Sequence, residues 1–218
     1  MSLPKAIIFD MDGLMFDTER LGLDAWEYVG KAIGLNITRE IALKAVGVSW
    51  ESSREIFFHE LGEFDFCYGH TLFQQYINSY IEEHGMPVKA GLMELLAFLD
   101  ELKMKKAIAT GSQYNGAVYY LEKAGISGSF GEIVTAEMVA EGKPAPDIFL
   151  HTAKLLGVVP QDCWVLEDSI KGIKAAVAAN MKPIMIPDLV LPNNEIASFL
   201  FARLASLTDV IELLKKWA

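Results

Sequence analysis

The feature that constrains the fold most is a regular alternation of short apolar runs and longer helical patterns over residues 89–218. Each run has the length of a buried strand, and the stretches between the runs repeat their apolar residues at helical spacing. The predicted strands are KAIIFD at residues 5–10, followed by KAIAT, EIVTA, CWVLE and KPIMIP. Strands that alternate with helices form a parallel sheet covered on both faces. The sequence therefore predicts an α/β core with a doubly wound, Rossmann-like parallel sheet.

Residues 17–86 follow a different pattern. Strand signals disappear there, and apolar residues recur three and four positions apart, as in amphipathic helices. The residues in these two stripes are Leu21, Ala25, Tyr28, Val29, Ala32 and Ile33, then Leu72, Phe73, Tyr76, Ile77, Tyr80 and Ile81. Ser52-Ser53-Arg54-Glu55 predicts a capping box at a helix start. We therefore predict an inserted α-helical cap domain at residues 17–86 and a core made of residues 1–16 and 87–218, with hinges near residues 14–17 and 84–88.

Charge and composition limit the classes of partner. The formal net charge is -10, and nucleic acids and anionic membranes are bound largely through clustered lysine and arginine. The chain has no uninterrupted apolar run near the ~18 residues of a membrane span, and its two cysteines are too few for a disulfide framework or a thiolate metal site. We expect a cytoplasmic monomer that binds neither nucleic acid nor membrane. A small phosphorylated metabolite remains compatible, because local cations and backbone amides decide its binding.

Four segments with polar side chains are expected at the carboxyl edge of the sheet. Open α/β sheets bind their ligands at this edge. The segments are Asp10-Met11-Asp12-Gly13, Thr110-Gly111-Ser112, Gly142-Lys143-Pro144-Ala145-Pro146-Asp147 and Glu167-Asp168-Ser169. Each segment alone has an ordinary structural explanation, since aspartate and serine cap helices and a lysine is usually a solvated charge. Together they supply oxygen ligands suited to Mg²⁺, hydroxyls and amides for an anion, and a cation.

This ordered set resembles the haloacid dehalogenase superfamily, and the resemblance covers essentially the whole chain. The strings that carry it are Asp10-Met11-Asp12-Gly13-Leu14 through Asp17-Thr18-Glu19, Gly142-Lys143-Pro144-x-Pro146-Asp147 and Glu167-Asp168-Ser169-x-x-Gly172, with Thr110 between the first two. The helical insert after the first motif resembles the cap of the subgroup that contains β-phosphoglucomutase, phosphoglycolate phosphatase and pseudouridine-5'-phosphatase.

The resemblance implies a Mg²⁺-dependent phosphatase that hydrolyses a small phosphorylated metabolite, either a sugar phosphate or a nucleotide-like monophosphate. Asp10 would be the nucleophile that forms an aspartyl phosphate, and Asp12 the general acid and base. Because the dehalogenases of the superfamily lack the second aspartate, Asp12 favours reaction at phosphorus.

The resemblance also implies how phosphate and metal are held. The phosphate-binding residues would be Thr110, Gly111 and Lys143. Mg²⁺ would be bound by the Asp10 side chain, the main-chain carbonyl of Asp12 and Asp168. Glu167 would act on the metal indirectly, through a bound water. Asp17 and Thr18 would begin the first cap helix and serve as its cap or hinge.

Three alternatives stay open. A sugar-phosphate mutase of this subgroup uses an arginine in a Gly-Val-Ser-Arg string and a cap-helix histidine, but this chain has Gly47-Val48-Ser49-Trp50 and Gly22 at these places. Arg20, Lys44 and Arg54 could substitute. Loss of a reactive residue would favour a non-catalytic phosphometabolite-binding protein. This alternative is disfavoured, because the nucleophile, the acid and base, the lysine and the metal carboxylates are all present. A nucleotide-cofactor enzyme is disfavoured because the glycines around residues 125–131 follow a helix and have the wrong spacing.

Overall fold

The computed structural model describes residues 3–48 and 50–217. The chain divides into two compact units, one formed by residues 1–16 and 88–218 and the other by residues 17–87. Pro87 groups with the second unit, and its carbonyl accepts a hydrogen bond of 2.8 Å from the Asp17 amide. The boundary expected from the sequence, between residues 86 and 87, lies one residue earlier than this division.

The unit formed by residues 17–87 is helical. Its helices are α1 (Thr18–Ile33), α2 (Arg39–Leu43), α3 (Trp50–Leu61) and α4 (Phe66–His84). Trp26 of α1 lies at the centre, with ring centroids 4.3 Å from Phe57, 5.6 Å from Phe66 and 5.1 Å from Phe73. Aromatic packing between α1, α3 and α4 therefore forms the core of this unit.

The predicted capping box is wrong. Helix α3 begins at Trp50, so Ser52 and Glu55 lie inside the helix and neither can cap its first turn. The Trp50 ring packs 4.7 Å from the Phe66 ring and 4.4 Å from the His70 ring. We attribute the earlier start to this contact, because tertiary packing overrides a local capping preference. The adjacent Ser49 lies outside the described residues.

The other unit is built on a six-stranded parallel sheet. Its strands are β1 (Ala6–Phe9), β2 (Lys105–Thr110), β3 (Glu132–Thr135), β4 (Cys163–Glu167), β5 (Lys182–Met185) and β6 (Ala202–Arg203), in the spatial order β3-β2-β1-β4-β5-β6. The predicted doubly wound parallel α/β core is thus confirmed. Only β6 has no counterpart among the predicted strands, because two residues are too few to show a periodicity.

Helices complete this unit. They are α5 (Leu92–Glu101), α6 (Tyr114–Lys123), α7 (Asp147–Leu156), α8 (Ile170–Ala178), α9 (Asn194–Phe199) and α10 (Thr208–Lys215). One face of the sheet packs mainly against α7 and α8, through small and branched residues such as Ala107, Ala109 and Val165. Small side chains allow the helices to approach the sheet closely. None of the helices in the described parts of the chain combines the length and the hydropathy that a bilayer crossing requires.

Candidate active site

Asp10 and Asp12 are fixed by a tight turn at the end of the central strand. The Asp10 amide donates a 3.0 Å hydrogen bond to the Leu166 carbonyl, which extends the pairing of β1 with β4 by one residue. Gly13 then takes a φ of 79°, a left-handed conformation that glycine adopts without steric cost. Its amide donates to the carbonyl of the fully buried Phe16 at 2.9 Å. The backbone that carries both aspartates is therefore held by hydrogen bonds and by buried side chains.

Lys143 reaches across the ends of three neighbouring strands. Its Nζ lies 2.5 Å from Asp10 Oδ1, 2.6 Å from Glu167 Oε1 and 2.9 Å from the Ala109 carbonyl. The register of β1 with β2 and β4 places these three acceptors side by side. An ammonium has three N–H donors, so all of them are used. Lys143 is thus a buried, fully hydrogen-bonded cation and not a solvated surface charge.

The loop that carries Lys143 leads into α7. The Lys143–Pro144 peptide bond is cis, and the Phe149 ring of α7 lies 5.1 Å from the ammonium. The ring face adds a favourable electrostatic contact to the hydrogen bonds.

The site holds more negative than positive charge. Burial raises the pKa of Asp10 to about 8, with a further increase from the Glu167 charge that Lys143 only partly offsets. Burial alone would lower the pKa of Lys143, but the charges of Asp10 and Glu167 raise it. One carboxylate oxygen from each of Asp10, Glu167 and Asp168 lies within 4.8 Å of the others. Three close carboxylates beside one ammonium suit a hard divalent cation. Such an ion binds carboxylate oxygens and reduces the repulsion between the three negative charges.

Glu167 is fully buried and is held from two sides. Its Oε1 accepts from Lys143, and its Oε2 accepts from the Ser169 amide at 3.1 Å and the Ser169 hydroxyl at 2.8 Å. The same hydroxyl caps α8 by accepting from the Gly172 amide at 3.0 Å. A Cβ atom at position 172 would overlap the Glu167 carboxylate, so only glycine leaves room for it. Gly172 thus makes the buried position of Glu167 possible.

The packing of Glu167 against Gly172 can be tested with two matched glycine-to-alanine substitutions. Gly172→Ala is expected to lower the unfolding free energy by about 2 kcal/mol, because the new methyl group displaces Glu167 from Lys143 and Ser169. Gly116→Ala, at the same third position of helix α6, has open space around its Cβ and should stabilise by about 0.5 kcal/mol. Urea denaturation of both variants measures the two effects. Equal stability of the two variants would contradict this account of Gly172.

The second predicted segment lies beside Asp12. Thr110 ends β2 and is 1% exposed, and its Oγ1 accepts a 3.0 Å hydrogen bond from the Ser112 amide. The Ser112 hydroxyl in turn donates to Asp12 Oδ2 at 2.6 Å. Gly111 is exposed, and among the described residues no atom beyond its two chain neighbours lies within 4 Å of where its Cβ would be. A phosphate could therefore approach the backbone at Gly111 closely.

The sequence-derived site residues fall into two adjoining groups. One contains Asp10, Lys143, Glu167 and Asp168, and the other contains Asp12 and Thr110, which are linked by hydrogen bonds through Ser112. In the sequence both Ser112 and Ser169 have an ordinary explanation as helix-capping residues, and nothing there indicates their carboxylate partners. For Ser112 the partner lies 100 positions earlier in the chain, and only the pairing of β1 with β2 brings the two together.

Comparisons with known proteins identify the family of the chain. The family model of haloacid dehalogenase-like hydrolases matches residues 4–180. The chain is 35% identical over 188 residues to fructose-1-phosphate phosphatase YqaB of Escherichia coli strain K12, covering 82% of this chain and 94% of the relative. It is 30% identical over 203 residues to β-phosphoglucomutase of Bacillus subtilis strain 168, with 86% and 88% covered. The crystal structure of β-phosphoglucomutase from Clostridium difficile superimposes with a TM-score of 0.77 and 26% identity, covering 99% of this chain and 97% of that one.

A match over most of the chain decides the family. The chain belongs to the haloacid dehalogenase-like hydrolases. The family resemblance inferred from the motifs and the prediction of a phosphatase-type enzyme are both confirmed.

Proposed function

We propose that this protein is a Mg²⁺-dependent phosphatase that hydrolyses a small phosphorylated metabolite through an aspartyl phosphate on Asp10. The observation that carries the proposal is the contact of Lys143 with Asp10 and Glu167 beside the cluster of Asp10, Glu167 and Asp168. A nucleophilic carboxylate, a cation for phosphoryl oxygens and a divalent-ion site are thereby combined at one sheet edge. The relative named fructose-1-phosphate phosphatase favours a sugar phosphate or a similar monophosphate as substrate.

The side chains divide the reaction between them. The Asp10 carboxylate attacks phosphorus while the bond from phosphorus to the leaving oxygen breaks, and Asp12 gives that oxygen its proton. Asp12 then takes a proton from the water that attacks the aspartyl phosphate, and the bond from phosphorus to Asp10 breaks to release phosphate. The Thr110 hydroxyl and the Gly111 backbone would bind the phosphoryl oxygens, and Lys143 would do so by exchanging one of its present hydrogen bonds for a bond to a phosphoryl oxygen.

The metal requirement follows from the charge of the site. Asp10, Asp168 and the main-chain carbonyl of Asp12 would hold Mg²⁺, which when bound neutralises charge on the transferring phosphoryl group. Both oxygens of Glu167 already accept hydrogen bonds, from Lys143 and from Ser169. We therefore assign Glu167 the role of orienting Lys143 and of reaching the metal through water.

A mutase is the second candidate, because two of the relatives above are named β-phosphoglucomutase. Trp50 replaces the arginine that this resemblance leads one to expect, and an indole cannot bind a second phosphate as a guanidinium does. The cap cations that could compensate have partners inside their own unit: Arg20 pairs with Asp17 at 2.6 Å, Lys44 with Glu60 at 2.9 Å, and Arg54 lies over the Phe58 ring. Phosphate release is therefore the better supported reaction.

Two measurements test the proposal. Phosphate release from a panel of sugar, nucleoside and glycolytic monophosphates should need Mg²⁺ and stop when EDTA is added. Mg²⁺ should also raise the melting temperature of the wild-type protein, and it should do so less for Asp168→Asn, because one ligand of the cluster loses its charge. Release that continues in EDTA would contradict the metal role. Isomerisation of β-glucose 1-phosphate in the presence of a bisphosphate, without phosphate release, would favour the mutase.

A further inference from the structure

We propose that Ser112 is a positioning residue that orients Asp12 for proton transfer to the leaving group. The inference rests on the proposed function, since it assigns a partner to the acid and base of that reaction. The contact that carries it joins Ser112 Oγ to Asp12 Oδ2 at 2.6 Å. A hydroxyl that donates to a carboxylate makes a stronger hydrogen bond than one between two neutral groups.

Both ends of this hydrogen bond are fixed. On one side, Ser112 donates its amide to the hydroxyl of the buried Thr110 at 3.0 Å, so the serine is tied to the end of β2. On the other side, Asp12 is carried by the turn that Gly13 closes through its bond to the Phe16 carbonyl. A hydrogen bond between two anchored groups restricts the carboxylate to one orientation at little further cost in entropy.

In this proposal the Ser112 hydroxyl donates to Oδ2 throughout the reaction, so a proton on Asp12 is assigned to Oδ1. From Oδ1 it passes to the leaving oxygen as the bond from that oxygen to phosphorus breaks. In the second half of the reaction, Oδ1 regains a proton from the attacking water. Ser112 keeps its own proton throughout, so it is neither an acid nor a nucleophile.

A comparison of leaving groups tests this role. An alkyl phosphate needs its leaving oxygen protonated, whereas p-nitrophenyl phosphate releases a stable phenolate and needs little acid catalysis. Ser112→Ala should therefore lower kcat/KM by roughly 10-fold for the fastest alkyl monophosphate of the panel and by far less for p-nitrophenyl phosphate. The ratio kcat/KM is the quantity to compare, because it reports the first phosphoryl transfer, in which the leaving group departs.

Two further variants complete the experiment. Ser112→Thr keeps a hydroxyl and should restore most of the activity toward the alkyl substrate. Ser206→Ala removes a hydroxyl that donates to the Asp209 carboxylate at 3.1 Å next to α10, and it should change neither rate. An equal loss for both substrates in Ser112→Ala, or no loss, would overturn the proposal. A wild-type protein that hydrolyses neither substrate with Mg²⁺ would instead contradict the proposed phosphatase.

Discussion

Replacement of Asp10 by asparagine is expected to reduce kcat by roughly 10³-fold or more and to leave the fold intact. The amide has nearly the volume of the carboxyl group but cannot attack phosphorus. Asp10 is buried and its pKa is raised to about 8 by burial and by the Glu167 charge, so its ionised form gains no stability from the site when Mg²⁺ is absent. The variant should therefore unfold in EDTA at no lower urea concentration than the wild type.

A control variant distinguishes loss of the nucleophile from loss of an aspartate charge elsewhere in the protein. Asp162→Asn removes the charge of an aspartate that precedes β4, at the opposite sheet edge, where it pairs with Lys5 at 2.7 Å. Its phosphatase rate should equal that of the wild type. A rate for Asp10→Asn within a few fold of the wild type would contradict the role given to Asp10, provided that mass spectrometry confirms asparagine at this position.

Loss of Lys143 is expected to damage both stability and turnover. In Lys143→Met, Asp10 and Glu167 lose the buried cation that now lies 2.5 Å and 2.6 Å away, and about 3 kcal/mol of unfolding free energy should be lost at neutral pH. Turnover should fall by about 10²-fold, because a charge that stabilises the phosphoryl oxygens is removed. Urea denaturation in EDTA and steady-state kinetics measure the two effects.

The stability deficit of this variant should depend on pH. Burial raises the pKa of Asp10 above that in the unfolded chain, and loss of Lys143 removes a charge that lowers it, so the folded variant binds more protons than the unfolded chain. The stability that this carboxyl group contributes is present at low pH and is lost as pH rises. The deficit should be smaller near pH 5 than near pH 8. Lys174→Met, which breaks a half-exposed pair with Glu195 at 3.6 Å, should change stability by less than about 0.5 kcal/mol at both pH values. A deficit for Lys143→Met no larger than this control would contradict the buried-cation account.

The sequence was most informative where one rule acts over a whole element. Five of the six strands were predicted because each is a buried apolar run between helical patterns, and parallel pairing then brings residues at the strand ends to one edge. Asp10 lies near Glu167 for this reason. Asp10 directly follows β1, and Glu167 is the last residue of the adjacent strand β4.

Other features depend on contacts between distant parts of the chain and have no local signal. Helix α3 begins at Trp50, whose ring packs against Phe66, so the Ser52 capping pattern was misleading. Lys143 lies in a loop, and its sequence neighbours do not indicate that its ammonium uses all three donors. The need for glycine at position 172 becomes evident only when the Glu167 carboxylate is seen beside it.

If phosphate passes through Asp10 on its way to water, the stereochemical course at phosphorus records it. The measurement uses the fastest substrate of the panel as a phosphorothioate made chiral with oxygen isotopes. Two successive in-line displacements, first by Asp10 and then by water, each invert the configuration, so net retention is expected in the thiophosphate product. Net inversion would show a single direct attack by water and would contradict the aspartyl phosphate.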